Sequence, residues 1–243
     1  MIRTTGVRAT PNRVLPDGCS DIILGIPDMA GPVAVGTMRS AAIFPLRNGV
    51  ELFGIRFHPG AGLPVFGVPL GEITDQRVPL DALWRDGAAR LADLAPENRV
   101  DGIERVLTSR LQGWLRDAGD DAPLASRAVA LLRQSRGGAT IRAVAAALGV
   151  GERRLERAFG RSVGVGPKML ERVLRMRRAI RRINAVRESG KPLAWTDVAF
   201  DAGYADQPHL IREFRALAGV TPRQYVAEQG GVGFVQDGET ESV

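Results

Sequence analysis

The second half of the chain repeats one local pattern twice, and this pattern limits the fold more than any other feature. A short apolar helical segment ends at a glycine-containing tripeptide, and an amphipathic helical segment follows at once. The copies span residues 141–148, 149–151 and 152–159, and then residues 196–202, 203–205 and 206–217. Gly149 and Gly203 suit the two turns because glycine adopts positive φ without a steric penalty. The pattern predicts two helix-turn-helix units.

The second helix of each unit is predicted to have one apolar and one polar face. At about 100° per residue, Leu155 and Phe159 point the same way in the first unit, as do Leu210, Phe214 and Leu217 in the second. The opposite faces carry Arg153, Glu156 and Arg157 in the first unit, and Gln207, Pro208, His209, Arg212 and Arg215 in the second. Arginine, glutamine and glutamate read base edges in the major groove. These faces therefore indicate duplex DNA as the partner.

Residues 167–187 separate the units and are predicted to form one long helix. It would span about 30 Å, close to the ~34 Å turn of B-DNA at which two reading helices enter successive major grooves. Arginines on this helix and beside the reading faces are expected to neutralise phosphates without reading sequence. The predicted phosphate contacts are Arg154, Arg172, Arg175, Arg178, Arg182 and Arg215.

Charge is distributed unevenly along the chain. Residues 1–121 carry 13 arginines against 15 acidic residues, whereas residues 122–229 carry 20 lysines and arginines against nine acidic residues. A near-neutral half joined to a strongly basic half indicates that only the second half meets a polyanion. The chain has one cysteine, no apolar run near the ~18 residues of a membrane span, and no signal-like start. These features favour a cytoplasmic protein without a membrane partner.

The first half reads as β-rich and then helical. Short apolar runs at 21–26, 33–35 and 52–57 lie between proline and glycine clusters, which predicts strands within residues 12–70. Residues 80–117 are predicted to be helical, with one apolar stripe. That stripe consists of Val100, Ile103, Leu107, Leu111 and Trp114.

The proline, glycine and acidic residues between the predicted elements divide the chain into three predicted regions. They are a β-rich domain with trailing helices (1–121), an all-α DNA-binding domain (122–229) and an acidic, disordered tail (230–243). Thr140, Thr196, Asp206 and Thr221 are expected to cap helices in the second region. Its caps, turns and apolar faces look self-contained, so residues 122–229 are expected to fold and bind DNA alone.

Residues 124–229 resemble the DNA-binding domain of AraC/XylS-type transcription regulators. The resemblance rests on VAFDAGYADQPHLIREF at 198–214 and GVTPRQY at 219–225, with Leu155 and Phe159 in the first unit. It implies seven helices, RNA polymerase as a partner, and a place on the bacterial nucleoid. Pro208 departs from the family, which has a polar residue there. The resemblance assigns base contacts to Arg153, Glu156, Arg157, Gln207, Pro208, His209 and Arg212.

The first half resembles a module found in some AraC-type regulators, through RVLPDGCSDII at 13–23 and FGIRFHPG at 53–60. The resemblance implies a compact, cupin-like β module that senses a small-molecule ligand or dimerises. The fold class expected for the whole chain is therefore α+β. Which ligand the module takes, and whether the regulator is an activator or a repressor, stay open.

Catalytic and metal chemistry find little support in the sequence. Zinc sites need clustered cysteine, histidine or carboxylate ligands, but Cys19, His58 and His209 lie far apart. Asp17 and Asp21 flank Cys19, which favours an inert thiol with a raised pKa over a redox switch. We therefore expect no metal, no cofactor and no enzymatic activity. A DNA-tethered enzyme with a catalytic first half is the alternative, although no acid/base or nucleophile cluster supports it.

Overall fold

A computed structural model describes residues 2–3, 11–26, 29, 31–45, 51–84, 88–92, 99–117, 121–135 and 139–229. The predicted tail, 230–243, lies outside the described residues. The strands are β1 Ile2–Arg3, β2 Pro11–Val14, β3 Ser20–Leu24, β4 Val33–Val35, β5 Ala42–Pro45, β6 Glu51–Phe57 and β7 Arg77–Pro79. The first helices are α1 Leu63–Phe66, a 3-10 turn Leu70–Glu72, α2 Leu80–Leu83, α3 Ala88–Ala92 and α4 Arg99–Asp117. The later helices are α5 Asp121–Gln134, α6 Ile141–Ala147, α7 Glu152–Ser162, α8 Pro167–Glu188, α9 Trp195–Ala202, α10 Gln207–Ala218 and α11 Pro222–Gln229.

The strands of the first half form two antiparallel sheets. One has five strands in the order β1-β6-β3-β4-β7, and the other pairs β2 with β5. In the larger sheet Ile22 lies opposite Ile55 on one side and Ala34 on the other. The three predicted strands are present, with bounds shifted by up to two residues. The all-β prediction for 12–70 was wrong at its end, because Leu63–Phe66 forms a helical turn with a proline in its first turn.

The core of the first half lies between the larger sheet and α1–α4. Trp84 is fully buried, and its indole Nε1 donates to the carbonyl of Val65 at 2.9 Å. Arg110 of α4 donates to the same carbonyl and lays its guanidinium over the Trp84 ring at 4.2 Å. The predicted stripe on α4 was therefore only partly right. Ile103 is buried, but Val100 is 68% exposed and Leu111 is also exposed. Helix α4 has 19 residues and packs against the much shorter helices α1 and α3, which cannot cover its whole length.

The second half contains the seven helices that the family resemblance implied, α5–α11. They enclose two apolar cores, one around Leu155 and Phe159 and the other around Leu210 and Phe214. Helix α8 runs through both cores, since Leu170 near its start belongs to the first and its later apolar residues belong to the second. The α+β class is confirmed: a β-rich half with trailing helices precedes an all-α half.

Three of the four predicted caps are present. The Thr221 hydroxyl accepts from the Gln224 amide at 3.3 Å. The Thr140 hydroxyl accepts from the Ala143 amide, and the Asp206 carboxylate accepts from the His209 amide. The prediction for Thr196 was wrong. Helix α9 begins at Trp195 because the carbonyl of Ala194 already accepts from the Val198 amide, which places Thr196 inside the first turn.

The core of the second helix-turn-helix unit also contains a residue from the first half. Leu15, just after β2, is buried among the apolar residues of α8–α11. The apolar faces of residues 122–229 are therefore not self-contained as the sequence suggested. The domain boundaries themselves, at 121/122 and 229/230, stay predictions.

Candidate nucleic-acid interface

The first helix-turn-helix unit consists of α6, a turn at Gly149 with φ +68°, and α7. On α7, Leu155, Ala158 and Phe159 are completely buried. The predicted reading residues Arg153, Glu156 and Arg157 lie together on the exposed face. Gly151, at the N-cap, has extended backbone and supplies no side-chain cap. The amide groups at the start of α7 therefore lack a side-chain acceptor at that position, an arrangement that suits a phosphate.

The second unit has the same plan, with α9, a turn at Gly203 with φ +87°, and α10. The apolar face of α10 is buried through Leu210, Phe214 and Leu217, as predicted. The opposite face exposes Pro208, Arg212 and Arg215. Asp206 caps α10, its carboxylate oxygen Oδ1 lying 2.6 Å from the His209 amide nitrogen. Pro208 stands in the first turn, where its missing amide hydrogen breaks no helical hydrogen bond.

Two further predicted reading residues are less exposed than the sequence suggested. Gln207 is half-buried at the start of α10, and His209 is half-buried behind it. The imidazole Nδ1 of His209 lies 3.4 Å from the Ala205 amide nitrogen, which donates to it. The ring also packs edge-on against Tyr204, with 5.3 Å between centroids. His209 is thus held partly by the turn of its own unit.

Three of the predicted phosphate contacts, on α8, make internal ion pairs and hydrogen bonds. The Arg172 guanidinium donates to Glu213 at 3.0 Å, and the Arg175 guanidinium donates to both carboxylate oxygens of Glu171. Arg178 donates to the Ala202 carbonyl at 3.2 Å. The side chains of Arg175 and Arg178 are only 16% and 12% exposed. These contacts define an ionic junction, made of the three arginines with Glu171 and Glu213, between α8 and the second unit.

The electrostatics of the junction support a structural role. Burial opposes the charge of Arg175, but the hydrogen bonds and charges of Glu171, with Glu213, outweigh it and raise the pKa of Arg175. Burial lowers the pKa of Arg178, although Glu171 acts in the opposite direction. Burial raises the pKa of Tyr204, and the charge of Glu213 adds to that rise. The i,i+4 spacing of Glu171 and Arg175 was a sequence signal for their pairing, whereas nothing local pointed to Glu213.

The other predicted phosphate contacts lie at the surface. Arg154 on α7 and Arg215 on α10 are exposed beside the reading residues. Arg182 is exposed near the middle of α8 and pairs with Asp201 at 2.6 Å, both side chains being about half exposed. A surface pair of this kind contributes little stability, so Arg182 can exchange Asp201 for a phosphate at low energetic cost.

Cys19 lies in the first half of the chain, beside two aspartates. Burial raises the pKa of the Cys19 thiol, and the charge of Asp17 adds to that rise, as the sequence predicted. Arg56 pairs with Asp17 at 2.9 Å and with Asp21 at 2.8 Å, which brings the two motifs at 13–23 and 53–60 together.

Among the residues that the structure describes, no three histidine, cysteine or acidic side chains are placed to hold a metal ion. No helix in that part of the chain has the length and apolarity of a membrane span.

Comparison with known families agrees with this geometry. A family described as a helix-turn-helix domain matches residues 144–228, a range that contains all of α7, α8 and α10. The C-terminal part of this chain is an AraC-type helix-turn-helix domain. This domain supports a DNA-binding transcription regulator, a class that is typically not enzymatic. The family recognised from the sequence is thereby confirmed.

The AraC-type domain follows a first half of a different kind. Residues 2–79, which hold β1–β7, match a domain of unknown function, DUF6597. No curated protein matches the chain. Among solved structures, an apo ToxT variant from Vibrio cholerae is 11% identical, with a TM-score of 0.44 over 90% of this chain and 92% of that one. Another ToxT structure from Vibrio cholerae is 11% identical, with a TM-score of 0.37 over 89% of each chain.

Proposed function

We propose that the protein regulates transcription by sequence-specific binding to a bipartite duplex site, with α7 and α10 in successive major grooves. The observation that carries this proposal is the pair of exposed polar faces, on α7 and α10, in two helix-turn-helix units that one 22-residue helix joins. A helix of that length spans about 33 Å, which is close to one turn of B-DNA. The two faces differ in composition, so the two half-sites differ in sequence.

The exposed side chains divide into two roles. Direct reading of bases falls to Arg153, Glu156, Arg157, Gln207, Pro208, His209 and Arg212. Among them Arg153, Arg157 and Arg212 suit bidentate contact with guanine, Glu156 suits cytosine, and Gln207 suits adenine. Pro208 offers shape and van der Waals contact alone. His209 contributes through the part of its ring that stays exposed.

Phosphate binding falls to Arg154, Arg182 and Arg215, together with the amide groups at the start of α7. We remove Arg172, Arg175 and Arg178 from the phosphate set. Their guanidinium groups already pair with Glu171 and Glu213 or with the Ala202 carbonyl. Breaking a largely buried ion pair leaves a buried charge without its partner, which is unfavourable.

The remaining parts of the proposal rest on the family resemblance. The β-rich half senses a small-molecule ligand or mediates a homodimer, and RNA polymerase is the partner through which bound protein acts on transcription. The protein works in the bacterial cytoplasm, on the nucleoid. Its regions are residues 1–121 and 122–229, followed by the tail 230–243.

A binding experiment on the full chain tests the proposal. Genomic fragments retained by the purified protein are sequenced, and a retained fragment is titrated by fluorescence anisotropy at 50 and 200 mM salt. With three arginine–phosphate contacts the slope of log affinity against log salt is about −2.7, so affinity is expected to fall roughly 40-fold across that range. Retention of no defined fragments, or an affinity independent of salt, would contradict the proposal. Arg90→Ala removes an exposed arginine of α3, outside the proposed DNA-binding surface, and should leave the affinity unchanged.

A further inference from the structure

One loop of the first half touches the C-terminal ends of both reading helices. This brace loop comprises residues 36–41 and joins β4 to β5. At one end the Thr37 hydroxyl donates to the carbonyl of Val163, just past the end of α7, at 2.5 Å in a buried contact. At the other end the Ala41 amide donates to the carbonyl of Leu217, in the last turn of α10, at 2.7 Å. The contacts to the two units are therefore only four positions apart along the loop.

The brace loop is tied to its own half of the chain. The Gly36 amide donates to the Gln76 carbonyl, and the Asp75 amide donates to the Thr37 carbonyl, both at 3.0 Å. The Asp75 carboxylate accepts from the Arg39 amide at 2.7 Å and pairs with the Arg39 guanidinium. Asp75 adopts a left-handed backbone with φ +58°. These bonds give the loop one conformation.

Side chains next to the loop strengthen each end. At the α7 end, the Thr74 hydroxyl donates to the Gly164 carbonyl at 2.7 Å. At the α10 end, the Arg13 guanidinium donates to the Ala218 carbonyl at 2.9 Å and forms a bidentate pair with Glu228 of α11. Carbonyls at a helix C-terminus have no partner within the helix. The first half thus supplies hydrogen-bond donors to the ends of both reading helices.

The fit at the α7 end leaves no room for adjustment. Gly164 has φ +89°, and a Cβ atom there would lie 2.8 Å from the Thr74 hydroxyl and 3.1 Å from the Leu70 carbonyl oxygen. A Cβ on Gly71 would lie 3.0 Å from the Gly160 carbonyl oxygen. At these distances a side chain at either position would require the neighbouring atoms to shift. The contact is that of a packed interior and not of a loose tether.

We propose that the first half of the chain is a brace that sets the distance between α7 and α10, and with it the half-site spacing that the protein accepts. The statement about spacing rests on the proposed function, whereas the statement about distance does not. A change in the β module that moves the brace loop would move both reading helices together. The two donors of the loop lie at fixed positions four residues apart, so neither helix can shift alone while both bonds persist.

The distance is measured by pulsed electron paramagnetic resonance without DNA. Nitroxide labels are attached through Arg157→Cys and Arg212→Cys, both at exposed positions, in a Cys19→Ser chain. We expect one narrow distance distribution in the otherwise native chain. The brace variant Thr37→Val, Thr74→Val, Arg13→Ala is expected to broaden or shift it, and Arg90→Ala is expected to leave it unchanged. An unchanged distribution in a folded brace variant would overturn the proposal.

A second variant covers the case in which the triple variant fails to fold. Asp75→Gly removes the carboxylate that holds Arg39 but suits the positive φ at this position. Asp75 forms hydrogen bonds with Thr37 and Arg39, both within the first half, so this change acts on the loop and leaves its contacts with α7 and α10 in place. It is expected to broaden the distribution as well. If the distance distribution of Asp75→Gly is as narrow as that of the native chain and is not shifted, the loop does not set the distance.

The DNA arm uses unlabelled full-length chain and duplexes that carry both half-sites with one or two added base pairs between them. The native chain should lose about tenfold in affinity or more on insertion, because a rigid pair of modules gains from simultaneous binding only at matched spacing. The brace variant should lose less than about threefold. Equal penalties in both chains would contradict the spacing claim. If the native chain shows no bipartite site while the brace variant still broadens the distance, the proposed function fails and the brace stands.

Discussion

The guanidinium Nε of Arg172 on α8 lies 3.0 Å from Oε1 of Glu213 on the reading helix α10. The other oxygen of Glu213 lies 3.5 Å from Arg175, and His209 approaches the first oxygen at 4.0 Å. One largely buried carboxylate therefore serves two arginines of the linking helix and one histidine of the reading helix. The orientation of α10 against α8 depends on this carboxylate.

Glu213→Gln is expected to destabilise the protein, because it leaves Arg172 without the charge that compensates it and removes the second carboxylate beside Arg175. The expected loss is about 2 kcal/mol of unfolding free energy, typical of a hydrogen bond to a charged group. Urea unfolding followed by circular dichroism measures it. Glu156→Gln removes the same charge from the exposed face of α7 and should stay within about 0.5 kcal/mol of the native chain. Equal stability of the two variants would show that the junction is not structural.

Sequence reasoning succeeded for the C-terminal helices because local rules determine them. Periodicity identified Leu155 and Phe214 as core, and the glycine at 203 marked its turn. The same reasoning assigned Arg175 to phosphate, since a helical wheel shows which way a side chain points but not what another helix places opposite it. Glu213 is 38 positions away in the chain from Arg175, and Leu15 is much further from the core that it enters. Contacts of that kind follow from tertiary packing and left no local signal.

Arg153 and Arg215 are expected to differ in what they contribute to DNA binding. Arg153→Ala should relax base preference at one position of the first half-site, by about 1–3 kcal/mol if its contact is bidentate. Arg215→Ala should weaken binding to all sequences alike and lower the salt slope by about one. Competition titrations against duplexes with single substitutions separate the two outcomes. An unchanged base preference in Arg153→Ala would remove α7 from the reading surface at that position.

Pro208 is expected to limit the information read by α10. Its exposed side chain has no hydrogen-bonding group, whereas α7 presents three polar side chains within two turns. Pro208→Gln should sharpen preference in the second half-site toward adenine. The position tolerates the change because the amide there has no helical partner. Selection from a randomised second half-site measures the result, and an unchanged preference would count against reading by this position.

Cys19 is expected to react slowly, because burial and Asp17 raise the pKa of its thiol and only the thiolate is nucleophilic. Because folding raises this pKa, the folded chain holds less thiolate at pH 8 than the unfolded chain. The reaction of the folded chain therefore accelerates as the pH rises further. Alkylation by iodoacetamide at pH 8 should be at least about tenfold slower in the folded chain than in guanidinium. Similar rates in the two states would restore Cys19 as a candidate redox switch.

Selection of binding sites from a fully randomised duplex pool by the intact protein tests the central claim most directly. The account predicts two unequal sequence blocks with centres about one helical turn apart, roughly 10–11 base pairs. It predicts more information in the block under α7 than in the block under α10, because Pro208 cannot donate or accept through its side chain. A single block, two equal blocks, more information under α10, or no enrichment would contradict it.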